Sequence, residues 1–407
     1  MGDKNDRDFS VAFRKNVCHN DTIMKKNDSL KFVFAGGGTG GHIYPGLAIA
    51  DELRALTLEK GQKIEILWLG NSAGMDKKLV EESGSVDFFR GIPSGKLRRY
   101  FSLKNFLDIF KIGAGFFCSF FTLLRFRPVA VFSKGGFVSV PPCLAAHFLK
   151  IPVLTHECDF TPGLATRINS RFAKRILVSY EETKSFLSKN VREKAISTGN
   201  PVRPAFYSAD FQKGKSFLFS NRNDYSPTKP ILLVLGGSLG AHQINELVSN
   251  ELDWLVERFN VVHQCGARDE AQMKRDVAGY FLHPFIYKEM PDVIASADVV
   301  LSRAGANSIW ECAVLGKPLV LLPLTGSGTR GDQVDNARFF EKAGAAKILL
   351  GEDVNSQKLR EVLLSLLDEK TRHEMAEKSL ALANGAFTDG KRPAQKIAEI
   401  VLETALE

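Results

Sequence analysis

The stretch Phe32-Val33-Phe34-Ala35-Gly36-Gly37-Gly38-Thr39-Gly40-Gly41-His42 decides how this chain is read. An apolar run of strand length ends in glycines, and a helical pattern, IYPGLAIADELRAL, follows at once. A strand, a glycine turn and a helix start together make an anion site. Glycine lets the backbone approach a phosphate closely, and the free N–H groups and helix dipole favour negative charge. The device recurs at Leu233-Val234-Leu235-Gly236-Gly237-Ser238-Leu239-Gly240-Ala241. Two such turns predict an anionic ligand held between two domains. Tight strand-to-helix packing without a ligand is the plainer alternative for each.

Around the first turn, the runs KFVFA, IEILWLG, VAVFS, PVLTH and RILVS alternate with helical patterns such as PPCLAAHFLK. Buried parallel strands joined by helices give this rhythm. It pauses at Gly199-Asn200-Pro201-Val202-Arg203-Pro204 and restarts with ILLVLGG, VVHQCG, DVVLS and PLVLLP. With 407 residues, two domains are expected at about 100–200 residues each. The expected division is a polar flexible tail over 1–28, an N-terminal domain over 29–203 and a C-terminal domain over 204–389. The last helix, about 390–407, is expected to cross back onto the first domain. Met24 would suit a natural start codon, and Met1 to Asp28 lacks the apolar segment of a secretory signal.

Apolar residues at 44% and charged residues at 25% exclude a disordered chain. A net charge of +8 favours an anionic partner without choosing its class. Cys18, Cys118, Cys143, Cys158, Cys265 and Cys312 form no C-x-x-C, so free thiols in a reducing compartment are expected. No metal ligand set is expected either. The D-x-D of Asp6-Arg7-Asp8 lies in the tail and reads as solvated charge.

Residues 36–41 also fit the G-x-G-x-x-G dinucleotide fingerprint, which needs an acid at the end of the second strand. That strand ends Trp68-Leu69-Gly70-Asn71, which weakens an NAD-dependent oxidoreductase reading. No P-loop pattern occurs. A further nucleotide candidate is Ser302-Arg303-Ala304-Gly305-Ala306-Asn307-Ser308-Ile309-Trp310-Glu311, whose Glu311 could accept bonds from ribose hydroxyls. Ser308 and Glu311 equally fit a capping box. Asp332-Gln333-Val334-Asp335-Asn336 opens another helix after a strand, facing the crevice where ligands bind in open α/β sheets. His42 follows the first glycine turn; a neutral imidazole there suits a proton acceptor, a phosphate donor or a structural cap. Glu157 and Asp159 are alternative bases.

Lys96, Arg98, Arg99, Lys104 and Lys111 accompany Phe101, Phe106, Phe110, Phe116, Phe117, Phe120 and Phe121. Basic residues among aromatics suit an anionic membrane interface, while a buried core helix is the alternative. The uncharged run Ile112 to Leu124 is short of the ~20 residues a span needs, so peripheral binding is expected.

Taken together, GGGTGGHIYP, KGGFVS, HECDFTPGL, GNPVRP, GGSLGA, SRAGANSIWE and DQVDNA resemble, in order, the motifs of the MurG family, over about Lys31 to Glu407. The resemblance implies an α/β GT-B fold with two Rossmann-like domains. It implies transfer of N-acetylglucosamine (GlcNAc) from UDP-GlcNAc to the 4-hydroxyl of MurNAc in lipid I, with inversion, at the cytoplasmic face of the cell membrane. Lipid I is undecaprenyl-pyrophosphoryl-MurNAc-pentapeptide. No cofactor and no nucleic acid are implied; other cell-wall synthesis proteins are candidate partners. By motif position, Thr39, Gly40 and Gly41 meet donor or acceptor phosphate. Arg203 is the GNPVR arginine, Ser238 the second-turn serine, and Ile286 lies near uracil. Ala306, Asn307, Ser308 and Glu311 form the ribose- and phosphate-binding helix start, and Gln333 and Asn336 read the sugar. His42 leads as base, ahead of Asp159. Two departures stand out: His-Glu-Gln-Asn reads His156-Glu157-Cys158-Asp159 here, and Leu239 replaces a common Gln. A nucleotide-sugar sensor and a transferase using a diacylglycerol glycolipid remain competing readings.

Overall fold

The computed structural model describes residues 29–95, 103–236, 240–273, 277–326 and 329–407. The tail over 1–28, with Met24 and Asp6-Arg7-Asp8, lies outside the described residues. So do Lys96, Arg98, Arg99, Phe101, Ser238 and Leu239, and the side chains of Lys104 and Phe106.

Thirteen strands are described. The first sheet holds β1 (Leu30–Gly36), β2 (Ile64–Asn71), β3 (Phe88–Ile92), β4 (Ala130–Gly135), β5 (Val153–Glu157), β6 (Arg175–Val178) and β7 (Ala195–Ser197). Its order is β3-β2-β1-β4-β5-β6-β7, all parallel. The second holds β8 (Ile231–Leu235), β9 (Asn260–Gln264), β10 (Tyr280–His283), β11 (Val299–Ser302), β12 (Leu319–Leu321) and β13 (Ala346–Ile348). Its order is β10-β9-β8-β11-β12-β13, again parallel.

The continuous apolar runs arise because both faces of each sheet are covered. In β1, Phe32 and Phe34 pack on one face with Trp68, Phe132 and the helix Gly40–Glu59, while Val33 and Ala35 pack on the other with Val138 and Leu123. In β8, Leu233 and Leu235 separate from Leu232 and Val234 in the same way. The strand period of two thus sorts consecutive apolar residues into two half-cores. The last helix, Pro393–Leu406, lies on the first sheet's side, where Ile397, Val401 and Leu402 join Ile43, Leu47 and Leu53. Arg392 at its start pairs with Glu52 at 3.2 Å.

Strand order reverses between β1 and β4, and between β8 and β11. At such reversals the connecting helices diverge to opposite faces and leave a crevice at the strands' carboxyl ends. The segments at the ends of those four strands are the first glycine turn, Lys134-Gly135-Gly136, the second glycine turn, and Arg303 to Asn307.

Candidate active site

The first glycine turn is built around an internal carboxylate. Asp76, at the start of the helix Asp76–Ser83, accepts the Gly38 N–H at 3.0 Å on each oxygen and the Asn71 N–H at 2.8 Å. It is buried, and burial pushes its carboxyl upward against those N–H bonds. A Cβ on Gly37 would stand 1.8 Å from Asp76 Oδ2, and Gly38 has φ +83 with Phe137 against it. The acid missing from the end of β2 is therefore supplied from the next helix, and it fills the turn instead of facing a ribose. Thr39 is exposed and caps the helix Gly40–Glu59 without a side-chain bond; Gly40 is buried and Gly41 exposed.

His42 packs its ring on Gly136, whose φ is +75; a Cβ there would meet His42 Cδ2 at 2.8 Å. The imidazole hydrogen-bonds the Lys134 backbone. Burial, then the Lys134 charge, lower its pKa to about 4; Arg330 acts in the same direction and Asp159 opposes. His42 is thus neutral at pH 7, mainly through burial. Lys134 is itself buried and donates to Cys158 Sγ at 2.7 Å.

At the end of β5 the two carboxylates divide. Glu157 is consumed locally, accepting from Asp159 N–H (3.1 Å), Gly163 N–H (2.8 Å) and Thr166 Oγ1 (2.6 Å). Asp159 reaches across to the second domain. Its Oδ2 lies 2.6 Å from Arg330 Nη2, and its Oδ1 accepts from Asn336 Nδ2 at 3.2 Å. Burial and the charges of Glu157 and Asp332 raise the Asp159 carboxyl, with Arg330 and Asn336 opposing. Asn336 is buried and engaged at both ends of its amide, accepting from Phe160 N–H at 2.8 Å and donating to the Ala304 carbonyl at 3.2 Å.

The remaining predicted residues fall into three groups. Asn307 Nδ2 donates to the Gly41 carbonyl at 2.8 Å, so the first turn and the helix Ala306–Ala313 touch; its Oδ1 is buried with no hydrogen-bond partner. Arg203 Nε and Nη2 both reach Glu311 Oε1 at 3.2 Å, and its guanidinium lies 4.8 Å from the Tyr44 and Phe206 rings. The capping box does not form, because Gly305 is the N-cap and Ser308 lies inside the first turn. Away from these contacts, the Ile286 side chain is buried in the second domain's core, with its N–H on Gln264 Oε1. Ala306 is buried, and Gln333 Oε1 accepts the Leu324 N–H at 2.9 Å.

Sequence reasoning missed Asp76, Lys134 and Arg330 as parts of this constellation. Lys134 stood in the quoted KGGFVS run. Arg330 could have been found as a cation beside Gly331, just before the DQVDNA helix.

Residues 32–178 match the family model of the glycosyltransferase family 28 N-terminal domain, and 231–393 that of the family 28 C-terminal domain. The chain is 51% identical over 387 residues to the UDP-N-acetylglucosamine--N-acetylmuramyl-(pentapeptide) pyrophosphoryl-undecaprenol N-acetylglucosamine transferase of Treponema denticola, covering 91% of this chain and 96% of that one. A Bacillus cereus relative of the same name, numbered 2, is 40% identical, with 86% and 94% covered. Among solved structures, Acinetobacter baumannii MurG aligns with a TM-score of 0.67 at 24% identity, covering 92% and 100%. The UDP-GlcNAc 2-epimerase of Neisseria meningitidis aligns at 0.59 and 16%, covering 93% and 100%. At such identities these two likenesses speak to fold alone.

Proposed function

The chain belongs to glycosyltransferase family 28 and within it to the MurG family, with the GT-B arrangement of two Rossmann-like domains, and we propose that it moves GlcNAc from UDP-GlcNAc to the 4-hydroxyl of MurNAc in lipid I, forming lipid II with inversion. The observation that carries this reading is the Asn307–Gly41 bond. It brings one domain's glycine turn against the other's helix start, so two sets of backbone amides converge where a diphosphate would lie.

In this reading Thr39, Gly40, Gly41, Ala306, Asn307 and Ser308 hold phosphate, with Ser238 at the second turn. Glu311 keeps Oε2 for ribose, since both Arg203 bonds use Oε1. Ile286 borders the uracil, and Gln333 and Asn336 border the sugar. The attacking hydroxyl needs a proton acceptor. A His42 pKa of about 4 and a neighbouring Lys134 charge disfavour an imidazolium. We assign the base to Asp159, whose carboxylate reaches Arg330 and Asn336 across the crevice, and His42 serves as a neutral hydrogen-bonding group.

Membrane docking is assigned to the helix Leu103–Phe126. Its segment Asp108–Phe126, 19 residues, is by length and composition apolar enough to cross a membrane. The helix nevertheless packs on the first domain. Leu123 and Ser119 are buried, a Cβ on Gly115 would stand 2.1 Å from the Pro93 carbonyl, and Phe116 and Phe120 lie against the core. Phe110, Phe117, Phe121 and Leu124 are exposed, as is Phe148, whose ring lies 5.6 Å from that of Phe116. We assign this face to the anionic cytoplasmic surface of the membrane.

Incubation with radiolabelled UDP-GlcNAc and synthetic lipid I tests the reaction. A β-linked lipid II product is expected; no product, or an α-linked one, refutes it.

A further inference from the structure

Arg330 bridges the two domains at the carboxylate assigned to the proton. Its Nη2 lies 2.6 Å from Asp159 Oδ2 and 3.4 Å from Asp332 Oδ2, and its Nη1 lies 3.4 Å from the Thr161 carbonyl. Asp159 is thus met by one nitrogen, not by the parallel fork that makes arginine pairs with carboxylate or phosphate strong. Arg330 stands just before the helix Asp332–Lys342, at the carboxyl end of the second sheet. It is close enough to His42, beside the first glycine turn, to act on that residue's charge. A diphosphate in the crevice would lie within this neighbourhood and could offer a two-pronged acceptor.

Resting on the donor reading above, we propose that Arg330 is a positioning residue that changes partners: the diphosphate of the bound sugar nucleotide takes its guanidinium from Asp159, and the freed carboxylate accepts the proton of the attacking hydroxyl. The O–H bond breaks toward Asp159, the new bond forms at the anomeric carbon, and UDP leaves with the electron pair of the old one. The groups around Asp159 are Glu157 and Cys158 from its own segment, Lys134 of β4 on Cys158, Tyr180 after β6, Asp332 and Arg330 from the second domain, and His42 from the first helix. Without Arg330, the charges of Glu157 and Asp332 weigh on its carboxyl, with the Lys134 ammonium next along on Cys158, and like charges raise a carboxylate's proton affinity. Donor binding thereby readies the base, and the empty enzyme keeps it tied.

Calorimetric titration with UDP tests this without turnover. Asp159→Asn removes the competitor for Arg330, so UDP binds more tightly, by about threefold. Arg330→Gln weakens UDP by about tenfold or more, the scale of a charge-assisted bond, and the double variant matches Arg330→Gln. Arg330→Lys keeps the charge and shows an intermediate affinity, which separates the effect from misfolding. In turnover, the acidic limb of kcat/KM reports the free enzyme and that of kcat the donor complex. The wild-type kcat limb should lie at the higher pH, and the two limbs should coincide in Arg330→Gln. Unchanged or weaker UDP binding by Asp159→Asn, or coincident wild-type limbs, overturns the proposal. A chain that shows the UDP pattern yet makes no lipid II overturns the acceptor reading alone; one that makes lipid II without the pattern overturns the partner change alone.

Discussion

Arg203 reaches Glu311 with two guanidinium nitrogens, Nε and Nη2, each 3.2 Å from the same carboxylate oxygen. The pair ties the GNPVRP connection to the helix Ala306–Ala313, and Tyr44 stacks on the guanidinium from the first domain. Both side chains are mostly covered, so removing one leaves the other charge poorly solvated. Glu311→Ala should therefore lower stability by about 1–3 kcal/mol and raise KM for UDP-GlcNAc, because the helix start loses its tie and the ribose its acceptor. Urea midpoints and donor KM measured on one preparation check this. A stability loss with KM unchanged would confine Glu311 to a structural role.

Asp76 gives a second prediction. Its carboxylate replaces an external anion at the Gly38 N–H, so Asp76→Ala strands two part-buried amides, those of Gly38 and Asn71. The expected cost is about 1–3 kcal/mol for the unsatisfied groups, read as a lower denaturant midpoint at constant m. Gly37→Ala should cost at least as much, since its Cβ would overlap Asp76 Oδ2. Wild-type midpoints in both variants would mean the turn holds its shape without the clamp.

The nine strands legible in the sequence all send their residues into two half-cores. The four that went unread, β3, β7, β10 and β13, are the edges of the two sheets. FFRGI, AIS and AKI are partly solvated edges with no sustained apolar run, while YFLH buries Tyr280 and Phe281 but offers only three apolar residues before His283. The site shows the same division. Glycine turns and helix starts were readable because their chemistry is local. The pairings Asp76–Gly38, Arg203–Glu311 and Asp159–Arg330 join residues 38, 108 and 171 positions apart, and only the fold brings them together.

The aromatic helix separates two kinds of phenylalanine. Phe117→Ser and Phe121→Ser remove exposed rings and should leave stability near wild type while weakening co-sedimentation with anionic vesicles. Lys104→Glu with Lys111→Glu should weaken it further and make the remainder less salt-sensitive. Phe116→Ala instead opens the core and should cost about 3–5 kcal/mol if fully packed, less for its partial burial. Vesicle binding unchanged by the two serine variants would remove this face from the membrane.

His42 and Asp159 compete for the proton, and their environments predict opposite responses. His42 has a folded pKa of about 4 against an ordinary 6.5. Its neutral form is therefore the folded one, and its contribution to stability is complete above pH 6.5. Stability falls as the pH drops toward 4, because only the unfolded chain takes the proton, at up to about 1.4 kcal/mol per pH unit for one group. His42→Gln should flatten that slope; His156 and His263, also depressed chiefly by burial, leave a residual one. In catalysis, His42→Gln should keep most of kcat and raise the lipid I KM, as expected of a neutral hydrogen-bonding group. Asp159→Asn should lower kcat on the order of 10²–10⁴-fold, the range for a lost general base, and remove the acidic limb. Measuring kcat and both KM values across pH for the two variants separates these roles. A collapse of kcat in His42→Gln with turnover surviving in Asp159→Asn would assign the proton to the imidazole, and Lys134, whose charge disfavours the imidazolium, would then have to move away or be neutralised during turnover.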